Sequence, residues 1–287
     1  MVFLVFLDPN IISAAVNGGD IALSALCGIL HGFRHNCLLA EVDGWQVDQG
    51  IKDAVLDMPE GDFRIRIQKL LVIMKNKNRF VDCLTAEEGN AALVDTAFKT
   101  GREAGLDFIL SEAAPLHGSP ETAGLAHYPL SNFERSRSRW EEGIPISEGA
   151  HEAEEFFRIY FRGLVKYAQE IVIIDAILGR KFGDNFQFSL EKTVKWIEEV
   201  SIAPSKLKLR IITEDSVRKG LLPLRLKQWT DKIQTEVTFG NPGHERYLFT
   251  NQGFAISLGR GCDFFDKDTG RNRDTHLGFV SHEKARQ

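Results

Sequence analysis

The stretch HERYLFTNQGFAISLGRGCDFF, residues 244–265, decides how the second half of the chain folds. Two apolar runs in it flank the turn residues Asn251–Gly253, a pattern typical of two antiparallel strands joined as a hairpin. His244 and Arg246 lie two residues apart, and a strand would place both side chains on the same face. The stretch therefore predicts a hairpin whose first strand starts with an imidazole and a guanidinium side by side.

The polar side chains of this stretch are of the kind with which proteins bind phosphate. A guanidinium clamps phosphate through two parallel hydrogen bonds, and a second arginine lies between the glycines of GRG. We expect four side chains to bind phosphate: His244, Arg246, Asn251 and Arg260. His244 is also a candidate catalytic nucleophile. A structural role is open as well, because His244 follows a turn-forming Asn-Pro-Gly and Arg246 can pair with a neighbouring acid.

A wider pattern surrounds the stretch. The segments EIVIIDAILGRKFGDNFQFSLEKTVKWI, KLKLRIIT, the quoted stretch and THLGF follow one another within residues 155–280. In this order they resemble the phospholipase D-like C-terminal domain of MIT-domain-containing proteins. The matching positions are Asp175, His244, Arg246, Gly259, Arg260, Gly261 and Asp263. The resemblance implies a phospholipase D-like fold that binds an anionic ligand, either phosphoinositide or nucleic-acid phosphate.

In that superfamily the pattern HxKxxxxD supplies a histidine nucleophile, a phosphate-binding lysine and a supporting acid. Here the same spacing reads His244, Arg246 and Asn251, so the resemblance implies a phosphate site whose acid is replaced by a carboxamide. Enzymes of the superfamily join two such motifs in one active site. Because this chain holds one motif, the resemblance implies that an active site would need a homodimer.

The first half alternates strand and helix patterns. VFLVFL is typical of a buried parallel strand, and GDIALSALCGILHGF, DFRIRIQKLLVIMKN and NAALVDTAFKTGREAG have the apolar spacing of helices. Such alternation predicts a mainly parallel sheet with right-handed crossovers. The second half alternates likewise, with Ser189 as a candidate helix N-cap. The predicted fold class is therefore α/β, with two α/β domains, the first built on a parallel sheet and the second on a mixed sheet.

Acidic residues stand where the N-terminal strands are expected to end. Asp8 follows the first strand, Asp95 starts a helix, and Glu112 follows a later strand. The carboxyl ends of strands are where α/β sheets bind ligands. This arrangement resembles PIN-domain nucleases, which end in a T.D motif that Ser111 and Glu112 would replace here. The middle acid of that family would be one of three residues: Glu41, Asp43 or Asp48.

The resemblance implies a PIN-like parallel sheet with a metal-dependent nuclease site. Carboxylates at one sheet edge bind Mg²⁺ or Mn²⁺ ions, which activate water and neutralise the scissile phosphate. The expected metal ligands are Asp8, Asp95 and Glu112, and the expected catalytic residues also include Asp43 and His244. Two alternatives remain open: helix caps at Asp8 and Asp95, and a PIN-like fold without a working site.

Composition and charge are those of a soluble globular protein, with 287 residues of which 43% are apolar and 26% charged. Residues 1–150 hold 13 Lys and Arg against 21 Asp and Glu, whereas residues 151–287 hold 22 against 19. An acidic half suits metal ions, and a basic half suits a phosphate-bearing partner. The four cysteines form no CxxC pair. Because neither a signal-peptide pattern nor an apolar run of about 20 residues occurs, we expect a cytoplasmic protein without a transmembrane segment.

The predicted domains are residues 1–115 and 151–287, joined by a connector at 116–150. The region 113–150 holds four of the nine prolines and no sustained apolar period, which is typical of a connector. Its segment ERSRSRW is either a basic contact for nucleic acid or a solvated linker.

Two functions follow from these patterns. The first is a nucleic-acid phosphodiesterase that uses the N-terminal acids and Mg²⁺ or Mn²⁺, by analogy in a defence or stress system. The alternative is a non-catalytic module that binds an anionic ligand and a protein partner. Serine hydrolysis and nucleotide binding through a glycine-rich loop are not supported, because the chain has no GxSxG, Walker or dinucleotide motif.

Overall fold

The computed structural model describes residues 1–86, 92–140, 142–180, 183–214, 220–244 and 246–280. The chain forms two compact units that divide between Ser138 and Arg139. The segment 116–150, expected to be a connector, is folded and divided between the units. It contributes a strand and most of a helix to the first unit and a strand to the second.

The first unit is built on a parallel sheet of five strands in the order β3–β2–β1–β4–β5, as predicted. The strands are β1 (Phe3–Leu7), β2 (Cys37–Val42), β3 (Phe80–Leu84), β4 (Phe108–Leu110) and β5 (Glu121–Ala123). The helices are α1 (Asn10–Asn17), α2 (Gly19–Asn36), α3 (Gln46–Leu56), α4 (Asp62–Asn76), α5 (Leu93–Ala104) and α6 (Asn132–Arg139), with a 3-10 turn at Tyr128–Leu130. The strand order reverses between β1 and β4, and in open α/β sheets such a reversal opens a crevice at the carboxyl ends of the strands.

Aromatic packing shows that Phe133, within the expected connector, belongs to the core of the first unit. Phe133 of α6 stacks on Phe108 with ring centroids 4.5 Å apart and meets Phe3 at 5.1 Å. Arg137, in the segment ERSRSRW, is buried, and its Nε lies 2.7 Å from a carboxylate oxygen of Glu134. Arg137 is therefore neither a solvated linker residue nor an exposed contact for nucleic acid.

The second unit has a mixed sheet of seven strands in the order β6–β12–β11–β10–β7–β8–β9, as predicted. The strands are β6 (Ile144–Ile146), β7 (Glu170–Asp175), β8 (Lys208–Thr213), β9 (Gln234–Phe239), β10 (Arg246–Thr250), β11 (Ala255–Leu258) and β12 (Thr275–Phe279). The helices are α7 (Ala153–Tyr160), α8 (Arg162–Val165), α9 (Ala176–Arg180), α10 (Asp184–Val200) and α11 (Leu221–Trp229), with a 3-10 turn at Pro204–Lys206. Strands β7, β8 and β9 are parallel, and β10 pairs antiparallel with both β7 and β11. The predicted hairpin is therefore β10–β11.

Two buried phenylalanines anchor the segment that follows GRG. Phe264 and Phe265 pack against Phe156 with ring centroids 5.6 and 5.3 Å away. The Ser189 hydroxyl accepts a hydrogen bond from the Phe265 N–H at 2.9 Å and donates one to its carbonyl at 3.1 Å. Because α10 begins at Asp184, Ser189 is an interior helix residue and not the N-cap that we predicted.

Candidate phosphate and acidic sites

Asp175, at the carboxyl end of β7, is fully buried. Its carboxylate accepts hydrogen bonds at 3.0, 3.2 and 2.7 Å from three backbone N–H groups, those of Ile177, Leu178 and Cys262. Burial raises the pKa of Asp175, while these three donors and the Arg246 charge act in the opposite direction. The Asp175 carboxylate thus links the end of the GRG turn to the start of α9, which is a structural role.

Arg246 is paired with Asp175 across the β7–β10 register. Its Nε lies 4.0 Å from a carboxylate oxygen of Asp175, and an Nη donates a hydrogen bond to the Gly259 carbonyl at 2.8 Å. Gly261 lies directly against both side chains and has a φ of +69°. A Cβ on this residue would lie 2.0 Å from the Asp175 Oδ2. Glycine is therefore required at this position, because any side chain would meet the buried carboxylate in a strained backbone conformation.

Arg260 and Arg273 share one carboxylate beside the same turn. An Nη of Arg273 lies 2.7 Å from the Asp263 Oδ2, and the Nε of Arg260 lies 3.9 Å from it. Arg260 also pairs at 2.5 Å with Asp274, which is exposed. The side chains of Arg260 and Arg273 are 31% and 26% exposed, whereas that of Asp263 is 13% exposed. Arg273 was not predicted as a site residue, and its only sequence signal is the basic segment GRNR.

The other two predicted phosphate ligands lie at opposite ends of β10. His244 is exposed in the turn before β10. Asn251 follows the opposite end of β10, where its carboxamide oxygen accepts the N–H groups of Gln169 and Glu170 at 2.9 and 3.1 Å. The structure thus corrects the prediction for Asn251, whose carboxamide holds the start of β7 and is separated from Arg246 by the length of the strand.

In the first unit, Asp8 and Ser111 meet at the crevice between β1 and β4. Asp8 is buried, and its carboxylate accepts the Asn10 N–H at 3.0 Å and the Ser111 hydroxyl at 2.5 Å. The register pairs the last residues of the two strands, Leu7 and Leu110. The chain therefore places one buried carboxylate and one hydroxyl where α/β sheets bind ligands.

Asp95 lies on a helix whose start is close to Pro9, whereas the Glu112 carboxylate is engaged by a loop. Asp95 is half-buried in the first turn of α5. The start of that helix lies close to Pro9, because a Cβ on Gly50 would be 2.9 Å from the Pro9 Cγ and 3.9 Å from Leu93. The Glu112 Oε1 accepts the N–H of residue 125 at 2.8 Å, and a Cβ on residue 124 would be 2.1 Å from its Oε2.

Glu41, one of the three candidate middle acids, lies near the end of β2, the strand that pairs with β1. Glu41 is fully buried, and its Oε2 accepts the Val47 N–H at 3.1 Å. Its Oε1 is buried without a hydrogen-bond partner among the described residues. Burial raises the pKa of Glu41 to about 7.

The other two candidates are also bound within the first unit. Asp43 is exposed, and its carboxylate accepts the Ala86 N–H at 2.7 Å. Asp48 is buried and binds the ammonium groups of Lys52 and Lys75 at 2.6 and 2.5 Å. These two lysines were not predicted as site residues, and they are brought together only by the packing of α3 on α4.

The structure does not group Asp8, Asp95 and Glu112, the expected ligands of Mg²⁺ or Mn²⁺, into one cluster among the described residues. Within the described residues, no three or more His, Cys, Asp or Glu side chains are grouped so that they could hold a metal. Both oxygens of Glu112 face the loop backbone at residues 124–125. The contact that the structure does show is between Asp8 and Ser111.

No known protein family matches the chain, and no curated protein matches it. Among solved structures it is similar to TrmBL2, an archaeal chromatin protein whose structure shows a novel mode of DNA binding. The identity is 10%, the match covers 78% of this chain and 77% of that chain, and the TM-score is 0.26. A likeness of this size leaves fold and function to be argued from the residues themselves. No helix in the described ranges has both the length and the apolar character needed to cross a bilayer.

Proposed function

We propose that this protein binds the phosphate backbone of nucleic acid through Arg260 of its GRG turn and the neighbouring Arg273, and holds the phosphodiester there without cutting it. One observation carries the proposal: Arg260 and Arg273 meet at the Asp263 carboxylate, and their side chains are 31% and 26% exposed, against 13% for Asp263. Both arginines are therefore more accessible to a phosphate than the acid between them. Their planar donors match the geometry of phosphate oxygens.

The existing ion pairs leave room for such a ligand. Arg260 pairs with Asp274, whose side chain is 69% exposed, and exposed pairs of this kind contribute only about 0–1 kcal/mol. A phosphate oxygen can replace the Asp274 carboxylate at little cost. Arg246 adds a third guanidinium, which Asp175 and the Gly259 carbonyl hold in a fixed orientation.

Binding without cleavage agrees with the positions of His244 and Asn251. A histidine nucleophile needs a neighbouring group that orients its imidazole. His244 is exposed, and Asn251, which stands at the position of the family's acid, holds backbone at the far end of β10. A binding role also needs only one copy of the motif, so the proposal does not require a homodimer.

A second candidate function is phosphodiester hydrolysis in the first unit. The contact between Asp8 and Ser111 in the β1–β4 crevice favours it, because this is where α/β sheets bind their ligands. If the unit is a nuclease, the double substitution Asp8→Asn and Asp95→Asn should abolish Mg²⁺- or Mn²⁺-dependent cleavage, since two anionic groups are lost with little change in packing. Full activity in a folded double variant would rule out this function for these acids.

The binding proposal is tested by fluorescence anisotropy with labelled single-stranded and duplex DNA and RNA at several salt concentrations. Arg260→Gln and Arg273→Gln should each weaken binding by about 1–2 kcal/mol, which is the range of a charge-assisted hydrogen bond reduced for partial exposure. Each substitution should also reduce the slope of the logarithm of the binding constant against the logarithm of the salt concentration by about one, the equivalent of one phosphate contact.

Lys227→Gln is the matched control. It removes one positive charge from α11, which packs beside β9 at the opposite edge of the sheet from the GRG turn. If all three substitutions weaken binding equally, the affinity reflects net charge and the proposed site is wrong. If the wild-type protein binds none of the four nucleic acids, the proposed function itself fails.

A further inference from the structure

The helices α3 and α4 of the first unit flank an open groove. Its volume is about 400 Å³, and most of its lining is apolar, formed by Ile51, Val55, Leu56, Leu71 and Val72. Val55 and Leu71 are buried, but Leu56 and Val72 are 60% and 54% exposed at its rim. Small-molecule sites are concave and mainly apolar, with a few polar groups that orient the ligand. The groove has the size and lining of such a site.

The polar residues that line the groove are Asp48, Lys52, Gln68 and Lys75. The ammonium groups of Lys52 and Lys75, each about half-exposed, bind the same oxygen of Asp48 at 2.6 and 2.5 Å. One carboxylate balances only one of the two positive charges. Each ammonium has three donors, so both retain hydrogen-bonding capacity toward a second anion.

The surroundings of Asp48 do not cancel this excess charge. The Glu41 carboxyl lies close to Asp48, but burial raises its own pKa to about 7. The negative charge of Asp82, on the neighbouring strand β3, also raises the pKa of Glu41. In slightly acidic solution Glu41 is therefore mostly neutral. Asp48 is then the carboxylate that directly contacts both lysines.

Solvent also reaches the lysines from a second side. A further open cavity of about 590 Å³ includes Lys52, Lys75 and Asp48 in its lining, together with Trp45. The Nζ of Lys75 lies 5.8 Å from the centroid of the Trp45 ring. Since the two cavities share these charged residues, the ammonium groups stand where the apolar groove meets the second cavity.

We propose that the groove binds a small amphipathic organic anion. Its carboxylate or phosphate head would lie on Lys52 and Lys75, and its apolar chain or ring would lie between α3 and α4. The apolar part of the ligand would cover the exposed rim residues Leu56 and Val72. Each square ångström of apolar surface that is removed from water contributes about 25 cal/mol to the binding free energy. The head replaces water on the two ammonium groups and takes up the unbalanced charge. This site is in the first unit and is independent of the arginines around the GRG turn.

Calorimetric titration of the full chain near pH 6 with matched probes tests the site. Octanoate has head and chain, octan-1-ol has the chain without charge, and inorganic phosphate has charge without a chain. Octanoate should bind most tightly of the three. Lys52→Gln or Lys75→Gln should weaken octanoate about tenfold and leave octan-1-ol unchanged, whereas Leu56→Ser should weaken both.

Lys69→Gln, an exposed lysine of α4 outside the groove lining, is the control and should bind octanoate like the wild type. All these positions are exposed or half-exposed, so the variants should keep the wild-type melting temperature within a few degrees. The proposal is overturned if octanoate binds no more tightly than octan-1-ol or if both lysine variants bind it like the wild type.

Discussion

Replacement of Glu41 by glutamine is expected to stabilise the first unit, and the gain should grow with pH. Glu41 has a pKa of about 7 in the folded chain against 4.5 when unperturbed. The folded state therefore holds a proton that the unfolded state has lost between these values, and stability falls as pH rises through this window. The difference of about 2.5 units corresponds to about 3 kcal/mol at alkaline pH. Glutamine is neutral throughout and keeps an acceptor for the Val47 N–H.

The gain from Glu41→Gln should be about 1 kcal/mol at pH 5 and about 3 kcal/mol at pH 8.5. Guanidinium denaturation with pulse labelling, read on peptides of β1 and β2, measures the first unit separately from the second. Glu103→Gln, on an exposed position of α5, is the matched control and should follow the wild type at each pH. A difference between Glu41→Gln and wild type that does not change with pH would mean that the Glu41 carboxyl is hydrated and ionises normally, and the argument would be refuted.

Three further predictions concern the second unit. Gly261→Ala should cost at least about 3 kcal/mol, because its Cβ would lie 2.0 Å from the Asp175 Oδ2 at a φ of +69°. Gly270→Ala, with a φ of +71° and no atom within 4 Å of its Cβ, should cost only about 1 kcal/mol, and equal losses in thermal melts would contradict the close contact. Asn251→Ala should lower the free energy of unfolding by about 1–2 kcal/mol but leave nucleic-acid affinity unchanged. Loss of affinity at unchanged stability would show instead that Asn251 belongs to the binding site. His244→Ala should weaken binding less than Arg260→Gln, and a trapped phosphohistidine on the wild-type protein would show instead that the site cuts.

Much of the fold was predictable from local patterns. The apolar run FLVFL became the fully buried β1, and DFRIRIQKLLVIMKN became α4 with the same bounds. The turn Asn251–Gly253 joins the two predicted strands of the hairpin. These patterns are readable because a strand or helix repeats its buried side every 2 or 3.6 residues whatever its neighbours are.

The contacts of the site were less predictable, because a polar side chain can form hydrogen bonds with partners that are distant in the sequence. Glu112 stands at the end of β4 as expected, yet its carboxylate turns to the N–H of Leu125. Asn251 keeps the spacing of a catalytic motif but bonds to residues 82 and 81 positions earlier. The lysines of the α3–α4 groove are 23 residues apart in the numbering and meet on Asp48 only because their helices pack together.

The amino-acid sequence by itself determined the two α/β units, the parallel and the mixed sheet and the β10–β11 hairpin, since these follow from apolar periodicity and turn residues. Only the tertiary structure decided which polar groups meet. It joined Asp8 to Ser111, brought Arg260 and Arg273 to Asp263, and buried Glu41 so that one of its oxygens has no hydrogen-bond partner within the described part of the chain. The physical reason is that burial and hydrogen bonding depend on the strand or helix that packs alongside, and the local sequence does not contain that neighbour.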